Sequence, residues 1–305
     1  MTVGDAAARL CRSLAGEVRT GEPMARHTTF RVGGRAAIFA VADTLADVTA
    51  AVAILGEEGV PFVVLGKGSN VLVSDDGYDG AILVLGREFK RHGFQDGMMR
   101  AGAATVLGVL VQDAFHLGLV GLSWAVGIPG TLGGALSMNA GTRHGWISQV
   151  VDSVTLYVPG EGLTLVRGRE VSWGYRSSGL ARRGIILEST LSVSQGDPVR
   201  IRAEMERYLK ERKSSQPLGV PSAGSVFVNP EKDSAGRLIE TAGCKGMRLG
   251  GAMVSPVHAN FIVNDGGATA ADVAGLIAHV RTTVKDSHGV ELRPEIRFLG
   301  RFEEP

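Results

Sequence analysis

Charge is absent from Leu117 to Thr142, a run of twenty-six residues without one charged side chain. Cysteine is nearly absent as well. Cys11 and Cys244 are the only two; they lie far apart and form no CxxC pair, which excludes a disulfide framework and a cysteine zinc site. The seven histidines are scattered without close metal spacing, so they read as surface or core histidines and no metal site is expected. Net charge is small, with 32 Lys plus Arg against 31 Asp plus Glu. That balance excludes a nucleic-acid binder relying on bulk charge, yet leaves room for a local basic pocket around an anion. The first residues lack a basic segment followed by an apolar core, and Asp5 comes early. No signal peptide is therefore expected, and the chain reads as cytoplasmic. No internal repeat and no low-complexity tract is present.

What is abundant is glycine. The 43 glycines are about twice average usage and are not periodic, so they imply tight turns and close main-chain approaches rather than collagen or disorder. By length, the uncharged run would suffice for a membrane span, which needs about 18 to 25 apolar residues. Its composition argues against one. Gly127, Gly130, Gly133, Gly134 and Gly141 stand there with Pro129, a density that breaks a regular helix. A glycine-rich, uncharged loop dotted with Ser, Thr and Asn instead suits main-chain N–H groups laid against phosphate. An ordinary buried loop is the alternative.

The periodicities give an α+β order. Asp43 is positioned to cap a helix with Leu45, Val48, Val52 and Leu55 inward, ended by Gly59 and Pro61. A short buried strand, Phe62 to Leu65, runs directly into Gly66-Lys67-Gly68-Ser69-Asn70. A second helix follows Thr105, and then comes the long glycine-rich loop. Strands are predicted over Asp152 to Val166 and Gly184 to Ser194, and Asp197-Pro198 reads as a domain boundary. Beyond it the spacing predicts a charged helix from Val199 to about Lys213, a short helix near Ala235 to Ala242, and strands around Ala252 and Phe261. A helix opened by Thr269 and a last strand from Leu292 to Leu299 complete the chain.

Four motifs carry chemistry-bearing residues. The two glycine loops, Gly66–Asn70 and Gly127–Gly141, match neither the dinucleotide fingerprint nor the Walker loop, because Lys67 sits too early. Two such loops can still hold one pyrophosphate from both sides. In Gly174-Tyr175-Arg176-Ser177-Ser178-Gly179, Arg176 can clamp a carboxylate or phosphate through two parallel hydrogen bonds, or be a solvated loop residue. In Pro221-Ser222-Ala223-Gly224-Ser225-Val226-Phe227-Val228-Asn229-Pro230, Ser225 opens an apolar strand and can pass on a proton, or be structural. Phe227 occupies the second glycine position of a nucleophile elbow, which excludes the usual serine hydrolase arrangement. In Pro294-Glu295-Ile296-Arg297-Phe298-Leu299-Gly300, Glu295 and Arg297 share one strand face. They form a surface ion pair, worth little, or present a carboxylate to a pocket.

Together and in this order, the motifs resemble the bacterial UDP-N-acetylenolpyruvoylglucosamine reductases, flavoenzymes of peptidoglycan precursor synthesis. The matching blocks run from His27-Thr28-Thr29-Phe30-Arg31-Val32-Gly33-Gly34 through Gly66–Leu72 and Gly127–Gly141 to the arginine and serine motifs. They continue through Ala242-Gly243 with Lys245-Gly246 and His258–Asn264 to Pro294–Gly300, so they cover nearly the whole chain. The resemblance implies an FAD domain of the vanillyl-alcohol-oxidase (PCMH) type, made of two α+β subdomains, over residues 1–197. It also implies a smaller α+β substrate domain over residues 198–305, its last strand packing back on the first domain. Non-covalent FAD would be held by Gly66, Lys67, Gly68, Ser69, Asn70 and Val71. The second loop would contribute Gly127, Ile128, Pro129, Gly130, Thr131, Gly133, Gly134, Asn139, Ala140 and Gly141.

By the same resemblance, Arg176 is the active-site arginine, Ser225 the proton donor and Glu295 the catalytic glutamate, with Tyr175 and Asn229 on the substrate side. NADPH would reload the flavin. The implied partner is a small-molecule UDP-sugar, with no nucleic acid, membrane or obligate protein partner. Two departures stand out. Val228 and Ser215 replace lysines common in the family, which leaves Lys213 or Arg212 to meet the substrate's phosphates. No insertion large enough for an extra substrate-covering loop is present, so the chain resembles the shorter type. An oxygen-using oxidase of the same fold is the rival; such enzymes often tether flavin through a His in the first glycine region, which here has none. A flavin-binding protein without catalysis is another. Arg176, Ser225 and Glu295 are 49 and 70 positions apart, so only folding can bring them together.

Overall fold

The structure, a computed structural model, describes residues 3–302. The chain divides into two compact units, each assembled from separate stretches of sequence. The first takes residues up to 20, then 38–67 and 80–212; the second takes 21–37, 68–79 and the chain from 213 on. The expected cut at 197/198 is not where the chain divides. The reason lies in burial: Ile201 and Met205 pack into the first unit's core, while Phe30, Val32 and Leu72 pack into the second's with Phe227, Ile239 and Ile277.

In the first unit, α1 (Val3–Ser13) packs on α2 (Leu45–Glu57), with Arg9 bridging to Glu57 and Glu58. The α2 cap is Thr44 rather than Asp43. Thr44 is extended, its hydroxyl accepts from the Asp47 N–H, and the buried Asp47 carboxylate accepts from the Thr44 N–H, closing a capping box. Asp43 instead holds Arg87 at 2.7 Å. Phe62–Val64 follows, parallel to Ala81–Leu83; Val64 is exposed, so this strand is less buried than expected.

The larger sheet of this unit is antiparallel, with strands in the order Gly162–Arg167, Val151–Val158, Ile185–Ser192, Met98–Gly102 and His92–Gln95. Val154, Leu156, Val166, Leu191 and Met99 are buried in the core, as is the face of α3 (Leu107–His116) carrying Leu107, Leu110 and Val111. Leu163 and Leu165, on the sheet's edge strand, point outward.

The uncharged run holds a helix that its glycines conceal. It is α4 (Leu132–Ser137), six residues long, opened by Thr131, whose hydroxyl accepts from the Gly134 N–H at 3.3 Å. The cap offsets the propensity lost at Gly133 and Gly134. Next come α5 (Leu180–Arg183) and α6 (Pro198–Ser215). Among the described residues, no helix is long and apolar enough to cross a membrane.

The second unit has an antiparallel sheet ordered Ser222–Ser225, Phe261–Asn264, Ala252–Val254, Arg248–Leu249. It is covered by α7 (Ala235–Thr241) and α8 (Ala270–His288). Val273, Leu276, Ile277, Val280 and Val284 of α8 are buried as the periodicity predicts, and Gly289 ends the helix. The last strand is shorter than expected. Only Arg297–Leu299 forms a ladder, parallel to Val71–Val73. Pro294 has no N–H to give a ladder, and upstream it makes only an isolated bridge to Phe227.

The start of α8 is doubly satisfied. Asp75 accepts from the Ala270 and Ala271 N–H groups at 2.8 Å each, and Thr269 and Asp272 form a capping box. The Thr269 N–H, and after it the Gly251 N–H, hold the Asp272 carboxyl below its ordinary value of 3.8. A carboxyl with a depressed folded pKa stabilises above about 3.8 and loses that contribution as pH falls through the lower folded value. Thr269→Ala should lower the unfolding free energy by about 1 kcal/mol. The stability gap between wild type and Asp272→Asn should be full at neutral pH and narrow below 3.8. Melting curves across that range check both; a gap independent of pH would remove the charge from the cap.

Candidate active site

In the first unit the two glycine loops touch. A Cβ at Gly66 would lie 2.6 Å from Thr131 Oγ1, so only glycine allows this approach. Thr131 also pairs with Val106, and Gly130 accepts from the Leu107 N–H at 3.1 Å. Gly66, Lys67, Gly127, Pro129 and Gly134 are exposed, whereas Thr131 and Asn139 are buried. The two loops thus offer an open, side-chain-poor face at the start of α4. Beside it the Leu132 N–H donates to the Thr105 carbonyl. The Thr105 hydroxyl is buried without a hydrogen-bond partner among the described residues, as a site awaiting a polar ligand or water would leave it. The face and this hydroxyl fit the pyrophosphate of a dinucleotide.

The end of the second loop is bound to the arginine motif. Asn139, with φ +42°, donates through Nδ2 to the Gly174 carbonyl at 3.0 Å and accepts from the Ser148 N–H. Arg176 donates to the Gly141 carbonyl at 3.1 Å. Its guanidinium lies 5.1 Å from the Tyr175 ring and 5.4 Å from the Trp146 ring. Arg176 has φ +54°, a left-handed conformation that costs about 1 to 3 kcal/mol in a non-glycine residue and clusters at functional sites. Arg212, late on α6, lies against Gly127. Burial first, and then the Arg176 charge, push the Arg212 guanidinium below its usual value. Lys213, the alternative anion contact, is exposed and grouped with the second unit. Tyr175 is also exposed.

The second unit holds the serine and glutamate together. Ser225 pairs with Phe261 at a bulge, where Gly224 has φ +75°. The next residue, Val226, accepts from the Glu295 N–H at 2.7 Å. Asn70 of the first glycine motif donates to the Glu295 carbonyl at 3.1 Å, and its own carbonyl accepts from the Arg297 N–H at 3.0 Å. Asn70 and Val71 therefore fix the strand that carries Glu295. Gly68 accepts from the Thr29 N–H at 3.2 Å, linking the His27–Gly34 block to this loop. Asn229 is exposed, and its Oδ1 accepts from the Ala235 N–H at the start of α7. It thus has a capping task whatever else it contacts.

Three residues without a firm role in the sequence stand out here. Trp146 packs against Gly141 and Arg176; its signal was an aromatic soon after the uncharged run, past Arg143, His144 and Gly145. Arg212 lies closer to the arginine motif than its spacing revealed. Asn260, buried inside the His258–Asn264 block, clamps the Phe227 N–H at 2.9 Å and carbonyl at 2.8 Å. Its carbonyl accepts from the Val226 N–H at 2.8 Å, so one side chain and its main chain hold the segment after Ser225. Burial, with Lys245 adding to it, pushes the neighbouring His258 below its ordinary value. Among the described residues, no group of three or more His, Cys, Asp or Glu is arranged to hold a metal ion.

Residues 216–299 match the C-terminal domain of UDP-N-acetylenolpyruvoylglucosamine reductase, and residues 36–167 match an FAD binding domain. The reductase of Heliobacterium modesticaldum is 43% identical over 294 residues, 96% of this chain and 94% of that protein. The reductase of Geotalea uraniireducens is 40% identical over 296 residues, 97% of this chain and 98% of that protein. The crystal structure of the Thermus caldophilus reductase superposes with a TM-score of 0.82 at 34% identity, covering 94% of this chain and all of that one. The chain belongs to the UDP-N-acetylenolpyruvoylglucosamine reductase family.

Proposed function

We propose that this protein reduces the enolpyruvyl ether of UDP-N-acetylglucosamine to UDP-N-acetylmuramate with NADPH, as a cytoplasmic step of peptidoglycan precursor synthesis, and that Arg176, Ser225 and Glu295 carry the chemistry. The near-full-length likeness to reductases of that name supports the reaction. The main-chain hydrogen bond from the Glu295 N–H to the Val226 carbonyl, which joins the segments carrying the glutamate and the serine, supports the roles of those two. The substrate is a small molecule.

When bound, FAD would supply the redox chemistry that couples NADPH to reduction of the vinyl group. Gly66, Lys67 and the main chain of Gly127–Thr131 would hold its pyrophosphate, with the Thr105 hydroxyl as a further partner. Gly133, Gly134 and Asn139 to Gly141 shape the same cradle. Gly68 to Val71 hold the chain that follows the first loop.

Arg176 binds the substrate carboxylate, where negative charge grows as the terminal vinyl carbon is reduced. A fixed cation there stabilises the transition state more than the ground state. Ser225 delivers the proton to the carbon bearing the ether oxygen. A serine hydroxyl is a weak acid, so it acts against a strongly basic, enol-like carbon or through a relay. Glu295 orients the substrate, and Arg212 and Tyr175 contact its anionic and sugar portions. Asn229 takes a substrate contact alongside its cap of α7.

Three variants test this reading. Gly66→Ala should purify with less flavin, because its Cβ would force Thr131 away; the absorbance of flavin released on denaturation measures it, and full occupancy would reject the cradle. Ser225→Ala should retain flavin reduction by NADPH and lose reoxidation by the enolpyruvyl sugar; rapid reoxidation in a stopped-flow trace would remove the serine. Arg176→Ala should slow that same half-reaction by the equivalent of roughly 2 to 4 kcal/mol; an unchanged rate would take the arginine out of the site.

A further inference from the structure

Trp146 has no place in the account above, yet it touches both groups that hold Arg176. Gly141–Thr142 and Gly145–Trp146 form a short antiparallel ladder in which Trp146 faces Gly141. A Cβ on Gly141 would fall 2.3 Å from Cε3 of the indole, so the ring lies directly on the glycine whose carbonyl accepts from Arg176. The same ring meets the arginine guanidinium at 5.4 Å and the edge of Tyr175 at 5.7 Å. The ladder is itself pinned. Arg143 and His144 both bind the Glu211 carboxylate, at 2.6 and 2.8 Å, so the turn between the two strands is fixed to α6.

We infer that Trp146 is a positioning residue for the reaction: its indole face and the Gly141 carbonyl hold the Arg176 guanidinium in its working orientation. The inference rests on the assignment of Arg176 to the substrate carboxylate. An aromatic face attracts a cation through its quadrupole and brings no negative charge. A carboxylate in the same place would hold the arginine more firmly but compete with the substrate for it. Tyr175 supplies a second ring at 5.1 Å, but it is exposed, whereas Trp146 is backed by Gly141.

The experiment compares W146L, which fills much of the volume without a π face, with W146F, which restores one. The readout is stopped-flow reoxidation of NADPH-reduced holoenzyme by the enolpyruvyl sugar, beside flavin content and melting temperature. W146L should reoxidise about tenfold more slowly, within the strength of a partly buried cation–π contact. The loss should fall on kcat with KM little changed, because the contact serves the developing charge. Reduction by NADPH should be unaffected. W146F should recover to within about threefold of wild type. If W146L does not fold, W146M takes its place.

Reoxidation at the wild-type rate in the non-aromatic variant overturns the inference. So does an equal loss in W146F and W146L, which would mark Trp146 as a packing residue. Arg176→Ala measured in parallel separates the two levels. If it too reoxidises normally, the assignment of Arg176 fails; if it is slow while W146L is not, only the role of Trp146 fails.

Discussion

The first unit depends on the main chain of Gly66 meeting the Thr131 side chain where its two glycine loops touch. At Gly66 there is no room for a single methyl group beside the Thr131 hydroxyl. That hydroxyl is already committed to the Gly134 N–H at the start of α4. The contact therefore fixes three things at once: the path of the chain leaving Phe62–Val64, the opening of a short glycine-containing helix, and an exposed face with few side chains. A binding surface of this kind draws its polarity from peptide groups. This explains how twenty-six uncharged residues can serve a highly charged cofactor.

Local patterns were legible wherever a single stretch of sequence decides the outcome. Thr269 with Asp272, the apolar spacing of Val273 to Val284, and Gly289 define α8 without reference to the rest of the molecule. Elsewhere the deciding partner is remote or competes with a local reading. Asp43 and Thr44 are both acceptable caps by type, and only the buried Asp47 behind Thr44 decides between them. The helix Leu132–Ser137 was hidden because glycine density argues against helices, whereas here one capped turn suffices. Pro294 shortened the final strand. The boundary at 197/198 failed to match the compact units because each is discontinuous. No local composition shift reveals that Phe30 and Leu72 share a core with Phe227, or that Ile201 belongs to the core before it.

Site residues show the same division. The motif order singles out Arg176, Ser225 and Glu295, the residues of the proposed function, since each sits in a short block of distinctive composition. The supports of those residues were not legible. Asn70 reads as part of a phosphate loop, yet its side chain is spent on the Glu295 carbonyl. Asn229 reads as a substrate contact, yet it satisfies the first turn of α7. Asn260 is one polar residue among many in the sequence, and its value appears only when both of its amide atoms are seen on Phe227. Buried amides of this kind satisfy main-chain groups that would otherwise be costly to bury. They consequently set the register of the segment carrying the serine.

The electrostatics of the arginine motif follow from what surrounds it. Arg176 and Arg212 act on each other as like charges, and Arg212 is further disfavoured by burial. The Arg212 guanidinium still keeps its proton near neutral pH, because its ordinary pKa lies far above it. The protein thus maintains positive charge under repulsion beside the exposed Gly127 end of the uncharged loop. An anion bound beside both guanidiniums relieves that repulsion, and a group that becomes more negative during reaction relieves it further. The Gly141 carbonyl and the Tyr175 and Trp146 ring faces orient the Arg176 guanidinium, which is what its proposed role beside the substrate carboxylate requires.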